Sequence, residues 1–304
     1  MIPQTPKMEQ MAAKTAQKTA ESVRLKDGRL LGYAEGGDPD GVPVLYFHGF
    51  PGSRLEATLF PVPGIRLIGI DRPGYGLSTP KSGRRLADWA DDIAEFADRM
   101  RLSRFGVIGL SGGAPYGAMV AHALSDRVNA LALVCGLGPP EAPGMTAGRL
   151  KLLASIGQSR IARFGLSHLA RRLIHSDPAV LRLKRFRDRM PRAGADIDLM
   201  RNGLENAMLH NWREGLSRSH LGMSTDARIY GEDWPFDPSM IAVPATIWHG
   251  RSDTIVPVSI GEYYARAMPE ADAHFPELDG HFSVVVNGLD RIAAFLAEKA
   301  EDAA

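Results

Sequence analysis

Cysteine is nearly missing from this chain: Cys135 stands alone among 304 residues. Without a second thiol, internal disulfides and cysteine-based zinc clusters are excluded, and a reducing compartment fits. Cys135 closes the apolar run 130–135 and reads as a packed strand residue rather than a thiol nucleophile. Charge of one sign is lacking too. The 36 Lys and Arg nearly cancel the 35 Asp and Glu, so no overall field exists to hold a nucleic-acid backbone or to pin the protein to an anionic membrane. No run approaches the roughly 18 apolar residues that a spanning helix needs. Residues 1–22 contain Lys7, Lys14 and Lys18 but no apolar block of signal-peptide length, and read as a polar, partly helical tail. The expectation is a cytoplasmic protein acting on a small molecule, with no nucleic-acid partner and no transmembrane segment. Whether it forms a homo-oligomer stays open.

What is present is enough to build a substantial core, since 44% of the residues are hydrophobic. Residues 22–26 and 29–35 flank Asp27-Gly28 and predict a hairpin, because Asp-Gly supplies positive φ in tight turns. Short apolar runs at 44–47, 67–70, 105–110 and 130–135 predict strands buried on both faces. Between two of them Leu86, Trp89, Ile93, Phe96 and Met100 recur at helical spacing, while Asp88, Asp91, Asp92 and Glu95 take the water-facing positions. A second helix is expected over 112–124. Strand and helix in alternation argue an α/β fold with a parallel sheet covered on both faces. From 139 to 238 the pattern is helical with Gly and Pro interruptions and no convincing strand; strands resume at 245–248 and 273–276, and a last helix is expected at 289–299. One α/β domain, 23–138 plus 239–304, interrupted by a helical insertion at 139–238, accounts for this order.

The segment that carries chemistry is Gly109-Leu110-Ser111-Gly112-Gly113, directly after an apolar strand and directly before a helix. A serine there sits on a sharp turn, and Gly109 and Gly113 remove the side chains that would collide as strand and helix approach. The helix start adds N–H groups and a positive dipole end, which favour developing negative charge. The bland alternative is a glycine-rich helix cap.

At this point the chain resembles the α/β-hydrolase superfamily, the lid-containing esterase and proline-iminopeptidase-like branch, over residues 23–300. His48-Gly49-Phe50-Pro51-Gly52 is similar to the family's oxyanion loop, which nominates the backbone N–H groups of Phe50 and Gly112, with His48 and Gly49 as structural residues. Asp71-Arg72-Pro73-Gly74-Tyr75-Gly76-Leu77-Ser78 resembles the family's loop after the next strand, a structural marker. Asp253 in His249-Gly250-Arg251-Ser252-Asp253 and His281 in Asp279-Gly280-His281-Phe282 stand where the family places acid and base. Asp233 and Asp237 also precede the last strands and remain alternatives for the acid. The order Ser, Asp, His is the one this fold uses. The resemblance thus implies an eight-stranded, mostly parallel sheet flanked by helices, a helical lid after strand 6, and acyl transfer through Ser111, His281 and Asp253, with activity falling as His281 protonates near about pH 6 to 7. Relatives that open epoxides or displace halide use aspartate where Ser111 stands. No nucleotide loop and no metal-ligand spacing occurs, so neither cofactor nor metal is expected.

The reading is a serine hydrolase cleaving a carboxylic ester of a small to medium, largely apolar acyl substrate. An aminopeptidase or carbon–carbon bond hydrolase with the same triad, and a slow-turnover, receptor-like binding protein, are the alternatives; Gly112, where proline-releasing peptidases carry tryptophan, weighs against the first. Phe50, Phe164, Met208, Trp212, Met223 and Trp234 are candidate pocket residues, although aromatics and methionines at helical spacing more often pack inside their own domain. Residues 149–192 hold a basic excess that fits a solvated helix face, or, around 182–187, attraction of an anionic substrate or an interface.

Overall fold

The computed structural model describes residues 19–59, 62–146, 148–176 and 194–303, with 178 and 185 singly. Residues 1–18, most of the expected tail, lie outside the described residues, as does all of the 182–187 basic cluster except Arg185. Eight strands form one sheet: Glu21–Arg24 (β1), Leu30–Gly37 (β2), Val42–Phe47 (β3), Ile65–Ile70 (β4), Phe105–Leu110 (β5), Val128–Val134 (β6), Ala245–Trp248 (β7) and Asp272–His274 (β8). Their order is β1-β2-β4-β3-β5-β6-β7-β8. β2 pairs antiparallel with β1 and β4, and every other pairing is parallel. Every residue of β5 and β6 is buried, which is why these runs read as unbroken apolar stretches instead of alternating ones. The β1–β2 link is wider than the expected two-residue turn. Arg24 pairs with Leu30, and the five intervening residues close with the Leu25 N–H donating to the Arg29 carbonyl at 2.8 Å and Gly28 at φ 86°.

Helices cover both faces. Asp88–Arg99 (α1) and Ala114–Ala123 (α2) pack one side, where Val107, Leu131 and Leu133 meet Trp89, Phe96 and Val120. Ser283–Glu301 (α9) packs the other, with Val284, Ile292 and Leu296 against Val44, Ile108 and Ala132. Alternate residues of β5 and β6 therefore serve opposite cores. α9 starts six residues before the expected 289. Asp92 also departs from expectation: it is 4% exposed, because Arg29 grips both its oxygens at 2.9 and 2.6 Å and Lys81 adds a contact at 3.1 Å.

Between β6 and β7 lie Gly148–Gln158 (α3), Arg160–Ile174 (α4), Gly194–Leu199 (α5), Glu205–Gly215 (α6) and Leu221–Ile229 (α7), with no strand among the described residues. Both α3 and α4 pack on α7. Arg149, Lys151, Arg160 and Arg172 are exposed, yet so are Ile161, Leu166 and Leu169, so the outer side of α4 is not the purely solvated polar face its composition suggested. Val258–Ala267 (α8) follows β7. Among the described residues no helix is long and apolar enough to cross a membrane.

Two glycines test this packing in opposite directions. A Cβ on Gly113 would run into the Phe47 carbonyl, whereas one on Gly165, inside α4, meets nothing within 4 Å. Gly165→Ala should raise unfolding free energy by about 0.5–1 kcal/mol, and Gly113→Ala should yield no soluble folded protein. Soluble yield and thermal melts of both read the outcome; a Gly113→Ala protein as stable as the parent would contradict the close approach of Gly113 to the Phe47 carbonyl.

Candidate active site

β5 ends at Leu110, and Ser111 turns the chain into α2 with φ at 50°. L-residues adopt that region rarely, and a serine held there costs on the order of 1 kcal/mol that the surroundings must offset. The turn is gripped from both sides: a Cβ on Gly109 would lie 2.8 Å from Ala114 Cα, and the Ser111 carbonyl accepts the Leu137 N–H at 3.0 Å. The serine hydroxyl consequently stands at the carboxyl edge of the sheet.

Two loops of the same edge bring their side chains to it. After β7, Asp253 accepts the N–H groups of Ile255 (2.7 Å) and Val256 (2.9 Å) on Oδ1, leaving Oδ2 for His281 Nδ1 at 2.7 Å. Before α9, His281 places Nε2 3.1 Å from Ser111 Oγ. In the neutral imidazole the carboxylate at Nδ1 fixes the tautomer: Nδ1 carries the proton, and Nε2 is the lone-pair atom facing the hydroxyl. Burial opposes charge on both partners, but His281 and His249 hold the Asp253 carboxyl far below its ordinary range. Burial likewise pulls His281 down, and the Asp253 carboxylate outweighs it, raising the imidazole well above its ordinary value. Of the alternative acids, Asp237 caps a turn by accepting the Ser239 N–H at 2.8 Å, and Asp233 is exposed.

The apolar run through 135 places Cys135 inside a strand. It is buried, but it sits past the end of β6 at φ 40°, with Sγ 3.9 Å from His281 Nε2 and donating to the His281 carbonyl at 3.4 Å. Cys135, Asp253 and His281 form the one group of metal-capable side chains found among the described residues. Burial pushes the thiol up, so it keeps its proton, and the imidazole and carboxylate already satisfy one another, which does not fit an ion cage.

The 48–52 loop brings the backbone of Phe50 beside Gly112: a Cβ on Gly112 would lie 3.2 Å from Phe50 N and 2.6 Å from Tyr230 Oη. His48 is neutral, because burial and Arg72 hold it well below its ordinary value. Its Nδ1 meets the Gly49 carbonyl at 2.9 Å and its Nε2 accepts the Arg72 N–H at 3.2 Å, so both ring nitrogens are engaged in holding the loop. The Arg72 guanidinium donates to the carbonyls of His48 and Gly49. Behind Arg72 lies Asp226 of α7, with no exposed side-chain surface. It accepts Arg72 Nε at 2.9 Å, Arg84 at 2.5 Å, Tyr116 Oη at 2.6 Å and Tyr75 Oη at 3.0 Å. Burial alone would raise this carboxyl; Arg72 and Arg84 bring it down to about 2. Tyr230, at the end of the same helix, donates to the Gly112 carbonyl at 2.8 Å. The marker loop thus contributes Arg72, and the insertion contributes the anion that holds Arg72.

Glu56 is a further buried carboxyl. Oε2 accepts the Gly49 N–H at 2.9 Å, and a Cβ on Gly49 would lie 3.5 Å from Oε1 and 3.7 Å from Ser111 Cβ, so the group borders the site. Burial raises it to about 7 against the opposing pull of the Gly49 N–H and Arg72. No pattern marked Glu56 or Asp226; each is a single acid whose partners come from distant segments.

The pocket candidates scatter. The Phe50 ring meets Tyr230 edge-on at 5.2 Å, beside Gly112. Trp234 stacks on Phe236 at 5.3 Å and packs against the main core. Trp212 packs with Leu209 and Ile174, Phe164 is half exposed against His220, Met208 is buried and Met223 half-buried. An open cleft of about 340 Å³, lined by residues including Pro143, Leu150, Thr254 and Ile255, adjoins the Asp253 loop without being lined by the three residues themselves.

The family model for the alpha/beta hydrolase fold matches residues 42–287. The chain is 27% identical over 257 residues to a non-heme chloroperoxidase of Streptomyces lividans, covering 82% of this chain and 86% of that protein. It is 25% identical over 252 residues to a bifunctional esterase/perhydrolase of Acinetobacter calcoaceticus, covering 78% and 84%. In structure it is similar to a bromoperoxidase from Bacillus anthracis, with a TM-score of 0.65 at 19% identity over 93% of this chain and 99% of that one.

Two carboxyls give opposite stability signatures. Asp226→Asn leaves Arg72 and Arg84 buried without their anion and should cost about 3–5 kcal/mol near neutral pH, read by urea unfolding. Glu56 is the reverse case: its folded value, about 7, lies above its ordinary value of 4.5, so wild type loses stability as pH climbs through that interval. Glu56→Gln should therefore gain relative to wild type between pH 4.5 and 7, by an amount on the order of 2–3 kcal/mol. A difference that stays flat across that window contradicts the shift.

Proposed function

Since the chain belongs to the α/β-hydrolase family and is a hydrolase, we propose that it cleaves carboxylic esters of small to medium, largely apolar acyl groups through an acyl-enzyme on Ser111. The observation that carries this reading is the unbroken chain from Asp253 to His281 (2.7 Å) to Ser111 (3.1 Å), ending on a serine held at positive φ. An unassisted serine hydroxyl is a poor nucleophile at neutral pH. As Oγ attacks the ester carbonyl, His281 Nε2 takes its proton, and the imidazolium is stabilised by Asp253 at Nδ1. The carbonyl oxygen becomes an oxyanion held by the N–H groups of Phe50 and Gly112, each such donor being worth about 3 kcal/mol of barrier. Collapse expels the alcohol, which receives the proton from His281. Water then attacks the acyl group through the same base and frees Ser111.

Two features support an ester with an apolar acyl group. Phe50 and Tyr230 set aromatic rings beside the proposed oxyanion position, and a relative of esterase/perhydrolase description aligns over most of the chain. Residues 139–238 act in this reading as a lid over the core formed by 23–138 and 239–304, after a polar tail at 1–22. The lid shapes the acyl pocket and limits water.

A series of p-nitrophenyl esters from acetate to decanoate tests the proposal. Wild type should turn over many times with a preference for short or medium chains, and Ser111→Ala should lose on the order of 10⁴-fold or more in kcat. Absence of turnover by wild type, or a Ser111→Ala variant within tenfold of it, would sink the reading. His281 must be neutral to accept the proton, and Asp253 raises its value, so activity should fall on acidification through a midpoint above the ordinary histidine value of about 6.5. Asp253→Asn removes the raising charge and should move that midpoint to lower pH. A wild-type profile flat from about pH 5 to 8 counts against His281 as the base.

A further inference from the structure

The carboxylate of Asp196, on α5 of the insertion, is 1% exposed, and its partners all lie on the loop that carries His281. Oδ2 accepts the His281 N–H at 2.8 Å. Oδ1 accepts the N–H groups of Phe282 (3.1 Å) and Ser283 (2.8 Å) and the Ser283 hydroxyl at 2.7 Å. The Ser283 hydroxyl in turn accepts the Gly280 N–H at 2.7 Å. One buried anion from the insertion thereby engages, directly or through Ser283, every backbone N–H from 280 to 283.

The plain account of such a carboxylate is a helix cap. α9 begins at Ser283, and its own cap residue, Phe282, supplies no side-chain bond. A capping oxygen, however, serves the second or third N–H inside the helix, which here would be Val284 or Val285. The bonds of Asp196 fall upstream of that, on the first helical residue, on the residue before it, and on the amide of His281 itself. Their effect is to fix the backbone from which the imidazole projects. Asp253 orients the ring from the Nδ1 side, but a hydrogen bond to the ring leaves the Cα free to shift with its loop, and a 1 Å displacement of Nε2 opens the 3.1 Å approach to Ser111 Oγ.

We propose that Asp196 is a positioning residue for His281: by clamping residues 281–283 it holds Nε2 within reach of the Ser111 hydroxyl, and it makes the insertion a structural part of the base. The inference rests on His281 being the base of the proposed hydrolase.

Asp196→Ala removes all four acceptor contacts, Asp196→Asn keeps the shape but replaces one acceptor oxygen by a donor, and Ser283→Ala removes only the hydroxyl bridge. On a p-nitrophenyl ester, at a temperature where each variant is folded by near-ultraviolet circular dichroism, kcat should fall roughly 10- to 100-fold for Asp196→Ala, with KM within about threefold of wild type and smaller losses for Ser283→Ala. The second readout is the far-downfield proton resonance of His281 Nδ1–H in its bond to Asp253, which should broaden or vanish in Asp196→Ala. A folded Asp196→Ala or Asp196→Asn protein with kcat within twofold of wild type and that resonance intact would make Asp196 a cap alone and overturn the inference. If Asp196→Ala does not fold, Asp196→Asn and Ser283→Ala decide by the same two readouts. Should wild type hydrolyse no ester, the functional reading fails separately, and persistence of the resonance in the variant still decides against Asp196.

Discussion

The backbone of Ser111 is the constraint on which the rest of the site depends. A serine at φ 50° stays there only because β5, the 48–52 loop and α2 crowd together around it. That crowding is possible because positions 109 and 113 carry no Cβ. Sheet packing therefore does more than support the site. It decides that the hydroxyl projects past the sheet edge, where the loops after β7 and β8 can reach it, and it sets the Phe50 and Gly112 amides side by side. A site placed at the end of rigid strands inherits their precision.

The insertion contributes to this geometry from two directions. Asp226 holds the cationic pair Arg72 and Arg84, and Arg72 holds the carbonyls of His48 and Gly49. Asp196 holds the backbone around His281. One carboxylate thus braces the side of the site where negative charge would develop, the other the side where a proton would move. Both are buried, and a buried carboxylate without partners is expensive. Displacing α5 or α7 would therefore take each of these carboxylates from its partners.

The sheet was legible in its apolar runs and the Ser111 turn in its flanking glycines, while Asp253 and His281 were legible only through the resemblance of their loops, and of the Ser, Asp, His order, to the family's. The supporting residues were not. Asp226 lies 154 residues from Arg72 and Asp196 lies 85 from His281, and a lone aspartate in a helix carries no mark of what it will face. Asp92 reads as a surface acid by helical position, and it is the distant Arg29, with Lys81, that draws it inward. Cys135 looked like strand filling because the apolar run continues through it; that it follows the strand beside β5 was the one available hint that it would end next to the same edge. α9 extends forward to Ser283 because Val284 and Val285 are buried, which the later apolar periodicity does not contain.

In the proposed reaction the imidazole of His281 activates one particular hydroxyl, that of Ser111. The most direct measurement is covalent capture with a fluorophosphonate, followed by intact mass and peptide mapping, in wild type and in His281→Ala. A single adduct on Ser111 should form rapidly in wild type and slow by orders of magnitude without the imidazole. An adduct on another residue, or labelling that is indifferent to His281, would contradict that activation.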